Sequence, residues 1–243
     1  MFLMPLRLVL KLFLRKSCDF SEKETWWAIP PLFMQQYDAY LIFGPPGSGK
    51  GTQGKILGSI PRFFHFACGD VFRTLDTRTA LGRAFMEYSS RGELVPDEVT
   101  IDLWKARIED KVGAHSFKPD LDVLVLDGIP RNVAQAKLME ETLRVRRVFH
   151  LSCPDEALLM DRMRRRAVKE NRFDDANEKV IRHRLFTYEQ ETAPLLEHYG
   201  AAAVTTIDAL RSPVVVLRDI LEVVIADGMG MMPEQMLKES ALA

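Results

Sequence analysis

Cysteine is scarce and scattered in this 243-residue chain. Cys18, Cys68 and Cys153 lie far apart, with no C-x-x-C pair and no zinc-ligand spacing. That argues against a disulfide framework and fits a reducing compartment. Net charge is lacking too: 33 Lys and Arg against 34 Asp and Glu leave −1. No global field therefore draws the chain to nucleic acid. There is no internal repeat, and no Ser/His/Asp triad is read from the sequence. What remains is ordinary for a soluble globular protein, 47% hydrophobic and 28% charged. The length suits one large domain, or a core with small insertions.

One stretch carries chemistry on its face. "LIFGPPGSGKGTQG", residues 41–54, is close to G-x-x-x-x-G-K-[ST]. Gly44 and Gly49-Lys50 fall in place, but position 51 is Gly and the hydroxyl arrives one residue late, at Thr52. Upstream, residues 38–43 form a short apolar run suited to a buried parallel strand. Downstream, "KGTQGKILGSI" can start a helix. Strand, glycine loop and helix start together make a phosphate cradle. Backbone N–H groups and the helix N-terminus face the anion, and Lys50 adds a full charge. A plain glycine turn would not need two glycines and a lysine at those offsets.

From residue 38 onward strands and helices alternate. "RFFHFAC", "DLDVLVLDG", "RRVFHLSC" and "AAAVTTID" read as four further strands. A last helix is predicted over about 213–226. The pattern implies an α/β fold with a five-stranded parallel sheet and helices on both faces. Ligands of such sheets bind at the carboxyl ends of the strands. The loop at 44–49, a turn after Cys68, and Asp127 all fall there. Asp127 suits either a magnesium neighbour or a cap for the turn at Gly128; beside the loop, the metal role leads. Arg73, Arg131, Arg162, Arg166, Arg172 and Arg184 are each placed near the same edge. A transferring phosphoryl group spreads charge over several oxygens, so positive clamps suit it.

The ends differ from this core. Arg7, Lys11 and Arg15 form a basic stripe opposite Leu3, Leu6, Leu10 and Phe13 on a helix. The segment is too short and too charged to span a bilayer and lacks the apolar centre of a secretory signal. A membrane-surface anchor, an organelle address or an upstream start before Met34 would each account for residues 1–37. The last is favoured, because nothing in the core needs them. The Met-rich "DGMGMMPEQMLKESALA" reads as a loosely held tail.

The segments "GPPGSGKGTQ", "CGDVFR", "GELVPDEV", "LDGIPRNVAQA", "DRMRRR" and "RFDDANEKVIRHRL…ETAPL", in that order, resemble the adenylate kinase family. The resemblance runs from about residue 40 to 224. It implies a P-loop three-layer fold over 38–228, with a helical NMP-binding insertion at about 68–97 and a lid at about 166–178. Residues 1–37 and 229–243 would lie outside it. In this family Gly-Lys-Gly-Thr is the normal form of the loop.

The resemblance also implies roles. Gly47, Ser48, Gly49, Lys50, Gly51 and Thr52 would grip the ATP phosphates, with Lys50 following the transferred group. Arg162 would pack on the ATP base and Arg166 would contact its phosphates. Arg73 and Arg131 would hold the AMP phosphate beside Gly128. Gln135 would read the adenine edge, with Cys68, Leu94 and Val95 around the base. Arg172 and Arg184 would close over both nucleotides, positioned by Asp174 and Asp175. Lys50, Arg131, Arg166, Arg172 and Arg184 form the catalytic set. Mg²⁺ would accompany ATP, with Asp127 reaching it through water.

Only "AVKEN" separates Arg166 from Arg172, so the chain resembles the short-lid type and no structural zinc is expected. The family usually has Thr where Cys68 stands and an aromatic where Ile129 stands. The Asp175–Arg184 spacing is one residue longer than usual. The implied reaction is ATP + AMP = 2 ADP. A UMP/CMP kinase is the alternative, sharing Asn after the Arg as at Asn132, but Gln135 favours adenine. A nucleotide-binding module without turnover would lack Lys50 or the arginines. A cytoplasmic monomer without membrane or nucleic-acid contacts is expected.

Overall fold

The computed structural model describes residues 36–170, 172, 175 and 177–229. The readings for residues 1–35, for Asp174 and for residues 230–243 therefore lie outside the described residues.

Five strands form one parallel sheet in the order β2-β3-β1-β4-β5. They are β1 (Tyr37–Phe43), β2 (Phe63–Ala67), β3 (Val123–Asp127), β4 (Leu143–Ser152) and β5 (Val204–Asp208). Central β1 alternates its side chains between two cores. Ala39, Leu41 and Phe43 enter one core, while Tyr40 and Ile42 enter the other. Burial on both faces explains why the strand reads as a continuous apolar run.

Helices cover each face. The first core takes Ile101, Trp104 and Ile108 of α4 (Asp97–Gly113) and Ala136 and Met139 of α5 (Val133–Met139). The second takes Leu57 of α1 (Lys50–Leu57), with Leu159, Met160 and Met163 of α6 (Glu156–Glu170). It also takes Ile181 and Leu185 of α7 (Glu178–Thr187) and Val216, Ile220 and Val224 of α9 (Pro213–Val224). Further helices are α2 (Cys68–Arg73), α3 (Ala80–Arg91) and the short α8 (Leu195–Tyr199), and a π-helical turn, Ile225–Met229, follows α9. A π-helical turn, Tyr188–Thr192, continues α7. Among the described residues no helix is long and apolar enough to cross a membrane.

Two local readings change. The turn expected after Cys68 is a helix, α2, that begins at Cys68 itself. Asp70 sits in its first turn, where a carboxylate favours the helix dipole. The tail is also not loose from its first residue. Asp227 accepts from Arg147 Nε at 3.0 Å, and its carbonyl accepts from Arg146 Nη2 at 2.8 Å.

Candidate active site

The loop after β1 ends at Gly49, the N-cap of α1, with φ 99° and no capping side chain. The N–H groups at the start of α1 are thus left for an anion. Gly47 is required by its surroundings. Its φ is +87°, and a Cβ there would stand 2.8 Å from the carbonyl oxygen of Leu159 on α6. Loop and helix approach so closely that only glycine fits.

Lys50 folds back over this loop. Its Nζ donates to the carbonyls of Gly44 at 2.7 Å and Pro45 at 3.0 Å. Burial lowers its pKa to about 8, and Arg166, Arg131 and Arg184 push the same way. Asp127 opposes them. Asp127 lies in register with Ile42 of β1 and Ala67 of β2, at the carboxyl edge of the sheet.

The arginines arrive from several elements. Arg131 follows β3, and its Nε donates to the carbonyl of Gly128 at 3.0 Å. The π-helical turn clamps the same loop, because Thr192 Oγ1 donates to the Arg131 carbonyl at 2.7 Å. Arg162 on α6 donates to the carbonyl of Ala209 just past β5 at 3.0 Å. Arg166, one turn on, shares the fully buried carboxylate of Asp175 with Arg184 of α7. Arg172 does not join them. Its Nε donates to Glu170 at 2.6 Å, and its Nη2 reaches Asp70 of α2 at 3.4 Å. Asp175 therefore positions Arg184 and Arg166, whereas Arg172 is held by Glu170 and Asp70. Asp70 also pairs with Arg73 at 3.2 Å.

At the far end, burial pushes the Cys68 thiol up to about 11, so it stays a neutral filler. Gln135 is fully buried, and both ends of its amide are engaged within the protein. Its Oε1 accepts from the Arg131 backbone N–H, and its Nε2 donates to Asp97. Asp97 sits inside the quoted segment "GELVPDEV", yet its spacing to Gln135 gave no sign of the contact. Asp70 and Glu170 were missed for the same reason.

One cleft of about 760 Å³ takes in the glycine loop, Asp127, Gln135 and these arginines. Its walls include Gly47 to Thr52, Cys68, Arg73, Leu94, Val95, Asp127, Gly128, Arg131, Gln135, Arg162, Arg166, Arg172 and Arg184. Asp175 lies behind this lining, fully buried beneath Arg166 and Arg184. A positive floor running from a glycine loop to an apolar pocket can hold a polyphosphate and set a second phosphate opposite it.

A sequence model of adenylate kinase matches residues 42–204. The chain belongs to the adenylate kinase family. It is 38% identical over 170 residues to an adenylate kinase of Corynebacterium urealyticum, covering 70% of this chain and 89% of that one. A Cyanothece relative of the same name is 40% identical over 175 residues, covering 69% and 85%. A third, from Thermobifida fusca, is 39% identical over 165 residues, covering 65% and 82%. Membership makes the chain a phosphotransferase, a nucleoside monophosphate kinase by class.

Proposed function

We propose that this chain transfers the terminal phosphoryl group of ATP to AMP, giving two ADP. The carrying observation is the convergence of Lys50, Arg131, Arg166, Arg172 and Arg184 on the cleft that also holds the glycine loop and Gln135. ATP lies with its phosphates on Gly47 to Thr52 and its base toward Arg162. AMP lies with its phosphate between Arg73 and Arg131 and its base toward Gln135, Leu94, Val95 and Cys68.

Little covalent work is asked of the protein. Binding places the AMP phosphate oxygen in line with the γ-phosphorus. Lys50 leaves its two carbonyl partners and follows the moving group. Arg131, Arg166, Arg172 and Arg184 neutralise the charge spread over the equatorial oxygens. Closure around Arg172 and Arg184 excludes water, which would otherwise compete as acceptor.

A divalent cation belongs with this chemistry, and the residues fit one. Among the described residues no three His, Cys, Asp or Glu side chains converge. Asp127 adjoins the loop, where a Cβ on Gly51 would come within 3.4 Å of its Oδ2. One carboxylate beside a phosphate cradle suits Mg²⁺, which keeps most of its waters. When bound, the ion neutralises charge on the β- and γ-phosphates.

The test is ADP formation from ATP with AMP, CMP, UMP or GMP as acceptor. AMP is expected to exceed CMP and UMP by at least about tenfold in kcat/KM. Equal or better use of CMP or UMP would replace this reading with a pyrimidine nucleotide kinase.

A further inference from the structure

The amide of Gln135 is gripped at both ends by groups that act in one sense only. Its Oε1 accepts from the Arg131 backbone N–H at 2.8 Å, and that N–H can only donate. Its Nε2 donates to Asp97 Oδ1 at 2.7 Å, and a carboxylate can only accept. Turning the amide over would set NH₂ against N–H and carbonyl against carboxylate. The oxygen and nitrogen are therefore fixed in place. Asp97 is braced in turn. Asn132 Nδ2 lies 3.1 and 3.2 Å from its two oxygens, and Asn132 Oδ1 accepts from the Gln135 backbone N–H at 2.8 Å.

With those bonds made, Gln135 has one N–H and one lone pair to offer. A 6-aminopurine shows an amine donor beside a ring-nitrogen acceptor. A 6-oxopurine shows the reverse, a carbonyl acceptor beside a ring N–H. A free amide could turn to suit either, and a locked one cannot. We propose that Asp97 is a positioning residue for base choice: by locking the Gln135 amide, it makes the acceptor site take a 6-aminopurine monophosphate and refuse a 6-oxopurine one. This rests on the reading above, in which Gln135 faces the acceptor base.

The test is Asp97→Asn, assayed for kcat/KM with AMP and with IMP at saturating ATP. Asparagine can accept or donate, so position 97 no longer opposes the turned amide; only the Arg131 backbone N–H still does, and the lock loses the charged one of its two one-way partners. The AMP-over-IMP preference is expected to fall at least about tenfold, with KM for ATP within about twofold of native. Asp97→Glu keeps an acceptor-only group and should hold the preference within about threefold. A structural role would lower AMP and IMP use alike, so a folded Asp97→Asn protein with an unmoved ratio overturns the proposal. Should Asp97→Asn fail to fold, the native protein decides by NMR. One Gln135 side-chain amide proton should resist solvent exchange without nucleotide; rapid exchange of both protons refutes the lock. A native enzyme that prefers CMP or UMP removes the adenine reading and this one with it. A native enzyme that prefers AMP, with the ratio unmoved in Asp97→Asn, removes only the role of Asp97.

Discussion

Asp175 offers the sharpest test of how the arginine clamp is built. Its carboxylate is wholly buried, while Arg166 and Arg184 remain 26% and 17% exposed. Arg166 places Nε and Nη2 at 2.8 and 2.6 Å from Oδ2, and Arg184 places Nη1 on Oδ1. Asp175→Asn keeps the shape but removes the charge and turns one acceptor into a donor. One arginine then faces an NH₂ group. Breaking a fully buried ion pair costs about 3–5 kcal/mol. Water reaches both arginines from the cleft, so we place the loss at about 2–3 kcal/mol. For a chain of this size that lowers Tm by about 4–12 °C. Activity should fall further than stability alone explains, because the two charges proposed to meet the moving phosphoryl group lose their common anchor. The loss should appear mainly in kcat, with KM for AMP less affected. Differential scanning calorimetry and steady-state kinetics on the same preparation measure both. A variant within about 1 °C and twofold of native in both would show that Asp175 does not organise the clamp.

Lys50 gives a prediction in pH. Its pKa in the nucleotide-free protein is lowered to about 8, below the ordinary lysine value. Bound phosphates favour the charged form, so ATP binding above that pH must take up a proton, and affinity should fall by up to about tenfold per pH unit. Calorimetry at pH 8.5 in buffers of differing ionisation enthalpy should reveal the uptake; its absence in the native protein would show that Lys50 is already charged. Lys50→Met should leave the fold intact and cut kcat by roughly 10²–10³, the worth of about 3–4 kcal/mol from one preorganised donor; near-native turnover would mean the loop is not the catalytic one. Gly54→Ala should destabilise by about 1–3 kcal/mol through overpacking, because its Cβ would lie 2.3 Å from His65 Nε2. Combining it with His65→Ala should recover most of that loss in denaturant melts, and strictly additive effects would refute the contact.

The glycine loop between β1 and α1 was legible from sequence because its determinants are contiguous. Gly47, Gly49 and Lys50 act within one turn of chain, between an apolar strand and a helix start. The sheet was most legible at its centre, because β1 and β3 are buried on both faces and are apolar over most of their length. Cys68 was misread as preceding a turn, since a six-residue helix leaves little periodicity to see. The partners inside the cleft were decided by tertiary structure alone. Asp175 belongs to Arg166 and Arg184, while Arg172 reaches Asp70 across 102 positions. Asp97 reaches Gln135 across 38. Such pairs leave no pattern in the chain, because a carboxylate chooses its partner by where folding of both apolar cores brings the elements together. The sequence by itself thus determined the fold and the set of residues proposed to hold phosphate, which line one cleft. Only the packed structure decided which carboxylate holds each arginine, and which way the Gln135 amide faces.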